Sequence, residues 1–126
     1  MKYLKKFNQL NENLMDLRKA IEANDTDYIK NWCYTSKEIQ AVCDNWRLDC
    51  ESIKELAFQL IDAGICDASG VMACTEEVLD TCDAYDLTPK EACLELGRNF
   101  GMRSQFFHDE HTEDHVEKMD FSKINL

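Results

Sequence analysis

Only one proline and four glycines punctuate the 126 residues of this chain. Sheets built of many short strands need frequent tight turns, and proline and glycine are the strongest turn-makers. So sparse a supply favours helices with few interruptions. The length suits one domain with an ordinary buried core. The expectation is therefore an all-α protein: a compact bundle of about five to six helices over residues 1–101. An acidic, histidine-containing segment over 102–126 follows and can pack on the same domain.

The apolar spacing supports this. Leu4, Phe7, Leu10, Leu14, Leu17 and Ile21 step by three or four and trace one helical stripe. Such a stripe suits a core-facing helix. It also suits a short seam between two copies of the chain, three heptads being the lower limit for a coiled coil. Asn24-Asp25-Thr26-Asp27 breaks the stripe and offers caps for a short helix through Trp32. Thr35 and Glu38 then have capping-box spacing. Apolar positions run on from Ile39 to Ile61 and stop at Gly64, a natural helix terminator. One helix over residues 36–63 would be about 42 Å long at 1.5 Å per residue, which is long for a domain this small. Ser52 with Glu55 offers a second capping box, so two helices broken near Leu48–Ser52 is the favoured reading.

Val71 to Tyr85 forms the next helix. Thr88-Pro89-Lys90-Glu91 opens another with the best local signal in the chain: Thr88 caps, Pro89 takes the first helical position and Glu91 completes the box. Cys93, Leu96 and Phe100 supply its inward stripe, and Gly101 can end it.

Charge divides the molecule. Residues 1–60 hold ten acidic and nine basic side chains; residues 61–126 hold fifteen and five. From Glu55 to Pro89 there is no lysine or arginine, against eight carboxylates: Glu55, Asp62, Asp67, Glu76, Glu77, Asp80, Asp83 and Asp86. At 100° per residue, Val71, Thr75, Val78, Cys82 and Tyr85 fall within about 80° of arc, flanked by Cys74 and Leu79. Glu76, Glu77, Asp80 and Asp83 fall opposite, as a ridge of four carboxylates across about 10.5 Å of axis. A DNA strand carries a charge about every 3.4 Å, a similar linear density. Glu76 with Asp80 and Asp80 with Asp83 are like charges at neighbour spacing, and each pair costs a few tenths of a kcal/mol. The ridge is either a solvated face that keeps the chain dispersed or a docking surface for arginines and lysines of a partner. A field of this sign attracts cationic surfaces and repels nucleic acid and anionic lipid.

Seven cysteines, Cys33, Cys43, Cys50, Cys66, Cys74, Cys82 and Cys93, lie too far apart for a C-x2-4-C zinc knuckle or a C-x-x-C redox pair. Their number is odd and nothing signals export, so they are expected as small apolar residues at helix contacts. All three histidines fall in H-x2-H-x3-H spacing at His108, His111 and His115. On a helix they would share a face and, with nearby carboxylates, could hold Zn, Ni or Cu. A polar terminal segment with solvated rings is the simpler account. Phe106 and Phe107, just before them, are expected to anchor the segment on the core.

No phosphate-cradling glycine loop, G-x-S-x-G or kinase signature occurs. The N-terminus starts basic but has no apolar run of signal-peptide length, and no apolar stretch is long enough to span a bilayer. The expectation is a cytoplasmic, non-catalytic interaction protein that binds neither nucleic acid nor membrane directly. Its centre would be Glu76, Glu77, Asp80 and Asp83, with Asp62, Asp67 and Asp86 at the rim. By occluding a basic site it would inhibit or regulate a nucleic-acid-handling protein. In charge and size alone, that is a style of phage-encoded anti-defence and host-takeover proteins. The alternatives are a metal protein using His108, His111 and His115, and a helical oligomerising module paired through Leu4, Phe7, Leu10, Leu14, Leu17 and Ile21.

Overall fold

The computed structural model describes residues 16–98 and 120–126. They comprise helical residues 16–22 (α1), α2 (Thr26–Thr35), α3 (Lys37–Trp46), α4 (Cys50–Asp62), α5 (Val71–Tyr85), α6 (Pro89–Arg98) and a single 3-10 turn, η1 (Phe121–Lys123). No strand occurs among the described residues, and the fold is all-α as the turn-poor sequence required.

α1 to α5 each stop for a local reason. After α1, Asn24 takes a left-handed conformation (φ 56°), and Asn24 and Asp25 donate their N–H groups back to the carbonyls of Ile21 and Ala20. This is a Schellman stop. Gly64 (φ 75°) does the same for α4: Gly64 N–H reaches Ile61 and Ile65 N–H reaches Leu60. The capping box that opens α6 stands in full, with Thr88 N–H donating to Glu91 Oε1 and Glu91 N–H to Thr88 Oγ1, both at 3.2 Å.

Two other caps sit elsewhere than the spacing suggested. Thr35 is still the last residue of α2, its hydroxyl bonded to Asn31 O at 2.9 Å. The extended residue is Ser36, whose Oγ accepts Ile39 N–H and donates to Glu38 Oε2 at 2.8 Å. α2 thus runs three residues past Trp32. The central apolar run is indeed two helices. Arg47 turns left-handed (φ 52°) and ends α3. Asp49 rather than Ser52 caps α4, accepting from Glu51 N–H at 3.3 Å and from the Ser52 hydroxyl at 2.8 Å. Ser52 lies within the first turn of α4 and serves as a donor there, because the helix begins at Cys50, soon after the left-handed turn at Arg47, with its cap three residues before Ser52.

α4 is the hub. It packs on α2, α3 and α5, while α5 also packs on α3 and α6. Its Ile53, Leu56, Ala57 and Leu60 are at most 2% exposed and share one core with Leu17, Ile29, Ile39, Val42, Val78 and Leu96. Cys33, Cys43, Cys74 and Cys93 belong to that core, and Cys50, Cys66 and Cys82 are half-buried against it. All seven are free thiols. Burial pushes Cys33 and Cys93 up to about 12, so at neutral pH both are protonated and poorly nucleophilic. Leu17 is fully buried within this chain and Ile21 packs on the same core. Leu4, Phe7, Leu10 and Leu14 lie outside the described residues.

Residues 120–126 return to the helices. Asp120 N–H donates to Ala63 O at 2.8 Å, Asn125 N–H to Gln59 Oε1 at 2.9 Å, and Lys90 N–H to Leu126 O at 3.2 Å. Ile124 is fully buried. The boundary at residue 102, Phe100, Gly101, Phe106 and Phe107 fall outside the described residues.

Candidate functional site

The eight carboxylates of the cation-free stretch do not act together; the fold sorts them. Glu55 is tied into the α2–α4 contact. Its Oε2 accepts the Tyr34 hydroxyl at 2.8 Å and lies 3.8 Å from Lys30 Nζ, and its Oε1 accepts Gln59 Nε2 at 3.3 Å. The hydrogen bond to Glu55 pushes the Tyr34 phenol up to about 12. Lys30 also sits 5.6 Å above the Phe58 ring. Asp62, at 15% side-chain exposure, lies 3.7 Å from Lys123 Nζ and holds the returning segment. Both cations come from outside the stretch, which is why a local charge count could not assign these two.

Asp67 is exposed but occupied. Its Oδ1 accepts Ser69 N–H, the Ser69 hydroxyl and Gly70 N–H, shaping the turn into α5. Partial burial would raise its carboxyl, but the bonds from Ser69 and Gly70 and the charge of Arg18 outweigh it and hold the group below 3.8. Its charge serves the turn before it can serve a partner.

The remaining five lie on or beside α5. The helix buries Val71, Cys74, Thr75, Val78, Leu79 and Thr81. The threonine hydroxyls are satisfied internally, Thr75 by Val71 O at 2.7 Å and Thr81 by Glu77 O at 2.9 Å. Glu76 and Glu77 are half-buried, and Glu76 accepts a 3.4 Å bond from Asn45 Nδ2 of α3. Asp80, Asp83 and Asp86 are exposed. No lysine or arginine among the described residues pairs with those three. Tyr85, placed on the inward stripe by angle, is 65% exposed. A stripe is buried only as far as a neighbouring element covers it, and Tyr85 is the last residue of the helix.

α5 gains no electrostatic benefit from these charges. A helix is negative at its C-terminus, so carboxylates there destabilise it, by about 0.3–1 kcal/mol each near the surface. Asp83 lies in the last turn and Asp86 just beyond it, with no basic residue to offset them and no acidic residue in the first turn. Asp86 also takes a left-handed conformation (φ 54°), closing the helix with its N–H on Cys82 O.

His108, His111 and His115 lie outside the described residues. Among the described residues no group of three or more histidine, cysteine, aspartate or glutamate side chains is placed to hold a metal ion. No helix among them is long and apolar enough to cross a membrane. An apolar groove, by contrast, had no local signal. It gathers the α3–α4 turn, α4, α5 and the returning segment, and the nearest hint was an apolar Leu48 between Arg47 and Asp49. No family model, curated protein or solved structure matches the chain.

Proposed function

We propose that this chain is a non-catalytic interaction protein whose α5 face binds a basic surface of a protein partner. By covering that surface it acts as an inhibitor or regulator, in the manner of an anti-defence protein that occludes a nucleic-acid-binding site. The observation that carries the reading is the row Asp80, Asp83 and Asp86: exposed and without a cationic partner among the described residues, with Asp83 and Asp86 placed where the helix dipole disfavours them. Glu76 and Glu77 extend the row toward α3. Asp62 and Asp67 support the fold around it, so the contact surface is narrower than the charge count alone indicates.

The mechanism is electrostatic occlusion. Fixed carboxylates on a rigid helix steer a cationic surface into contact and discriminate against acidic ones. The test is capture from native lysate with the wild type and with Asp80→Asn/Asp83→Asn/Asp86→Asn, at low and at high salt, with the retained proteins identified. The expected result is a basic nucleic-acid-handling protein held by the wild type, lost at high salt and lost with the variant. Retention that ignores both salt and the substitutions removes the proposal.

A further inference from the structure

Beside the acidic row lies an apolar groove of about 330 Å³. Leu48, Ile53, Leu56, Leu79, Cys82 and Leu126 line it from four separate segments of the chain. Leu48 is 54% exposed, an apolar side chain that the fold leaves in contact with water. Among the described residues, Asp49 is the one acidic side chain in the lining, and no lysine or arginine side chain lines it. Arg47 precedes the lining residue Leu48 in sequence, and Lys90 donates its backbone N–H to Leu126 O at 3.2 Å at the groove's edge.

The groove and the row share a helix. Asp80 follows Leu79, Asp83 follows Cys82 and stands one turn beyond Leu79, and Asp86 stands one turn beyond Cys82. A segment lying across this part of α5 meets apolar surface and negative charge at helical-neighbour spacing, about one turn apart.

We propose that the groove receives an apolar side chain from a lysine- or arginine-rich amphipathic segment of the partner, whose cations face Asp80, Asp83 and Asp86. This rests on the reading of α5 as the binding face and adds the anchor. Ligand pockets run from roughly 300 to 1,000 Å³, so this one is sized for one or two side chains and not for a large cofactor. A helix laid in a groove presents anchors one turn apart with charges between them, which matches the alternation here. Charge complementarity selects the occupant. A second copy offering the same face would bring aspartates against aspartates, and an anionic amphiphile would meet the same repulsion.

The probe is a synthetic amphipathic helix with a lysine-rich face and two leucines one turn apart, compared with the same peptide carrying serines for leucines. Both are titrated into the full chain by fluorescence anisotropy. The wild type should bind the leucine peptide about tenfold more tightly, since a single well-filled apolar anchor is worth that much. Leu48→Ser and Ser52→Trp, the second filling the groove, should each erase that difference. Asp80→Asn/Asp83→Asn/Asp86→Asn should weaken both peptides.

Equal binding of the two peptides to the wild type overturns the groove inference and leaves the acidic-face reading standing. That comparison needs no variant, so it holds even if a substitution unfolds the chain. Failure of both peptides to bind sinks both readings. A leucine peptide indifferent to the aspartate substitutions overturns the choice of a basic occupant. So does a neutral apolar dye that fills the groove and is not displaced by the peptide.

Discussion

α5 and α6 are consecutive helices packed on each other, yet they are built on opposite terms. α6 has nearly every local aid a helix can have: a reciprocal capping box, proline in its first position and Glu91 in its first turn. α5 has almost none. Its N-cap is Gly70 with no side-chain bond, its first turn holds no acid, and its last turn holds Asp83 and no base. It is the longest helix among the described residues all the same. What holds it is the burial of Val71, Cys74, Val78 and Leu79 against its neighbours. Carboxylates that oppose the helix they sit on are therefore not explained by helix stability.

Core truncation should test that contrast with the largest effect. Leu79→Ala and Leu96→Ala should each cost about 2–5 kcal/mol in urea denaturation, burial being common to both helices. A Leu79→Ala loss below about 1 kcal/mol would break the comparison, because α5 would then be held by something else.

Alkali should act next. Cys33 and Cys93 ionise at about 12 when folded, against 9.0 for the exposed thiol, so the folded state keeps protons that the unfolded chain releases. The stability they contribute is complete below pH 9 and is lost as pH rises toward 12. Melting temperature should fall across that window. Cys93→Ala should flatten the fall even if it lowers stability at pH 7; an unchanged slope would mean that this thiol is not protected by α6.

Thr88→Ala should cost about 1 kcal/mol, the usual loss for an N-cap hydroxyl. A neutral result would show that the capping box of α6 is dispensable and that the two helices are more alike than they look. Asp83→Lys should act in the opposite sense, raising stability by about 0.3–1 kcal/mol at low salt and less at high salt. The same variant should bind a basic partner less well. Stability gained and binding lost in one substitution would sharpen the comparison most. Asp83→Lys that destabilises the fold would show Asp83 to be structural.

The caps show how far local reading reaches. Thr88 with Glu91, Gly64 and the bounds of α5 were legible because each depends on residues within about four positions of one another. Thr35 and Ser52 were one and three residues from the true caps, Ser36 and Asp49. Several oxygen-bearing side chains compete there, and backbone conformation chooses: Ser36 is extended, and Arg47 takes the left-handed turn. Of the candidate site, the acidic row on α5 was legible as a face. Its separation from Glu55 and Asp62 was not, because their partners lie 25 and 61 residues away, at Lys30 and Lys123.

By itself the sequence determined an all-helical chain, a break in the central apolar run, and a helix with its carboxylates segregated from its buried face. These follow from turn scarcity, apolar period and caps, all short-range. Only the tertiary structure decided which carboxylates remain open, that Ile124 enters the core, and that Leu48, Leu79 and Leu126 meet in one groove. Those outcomes depend on which helices become neighbours, and that is set by burying the whole apolar surface at once.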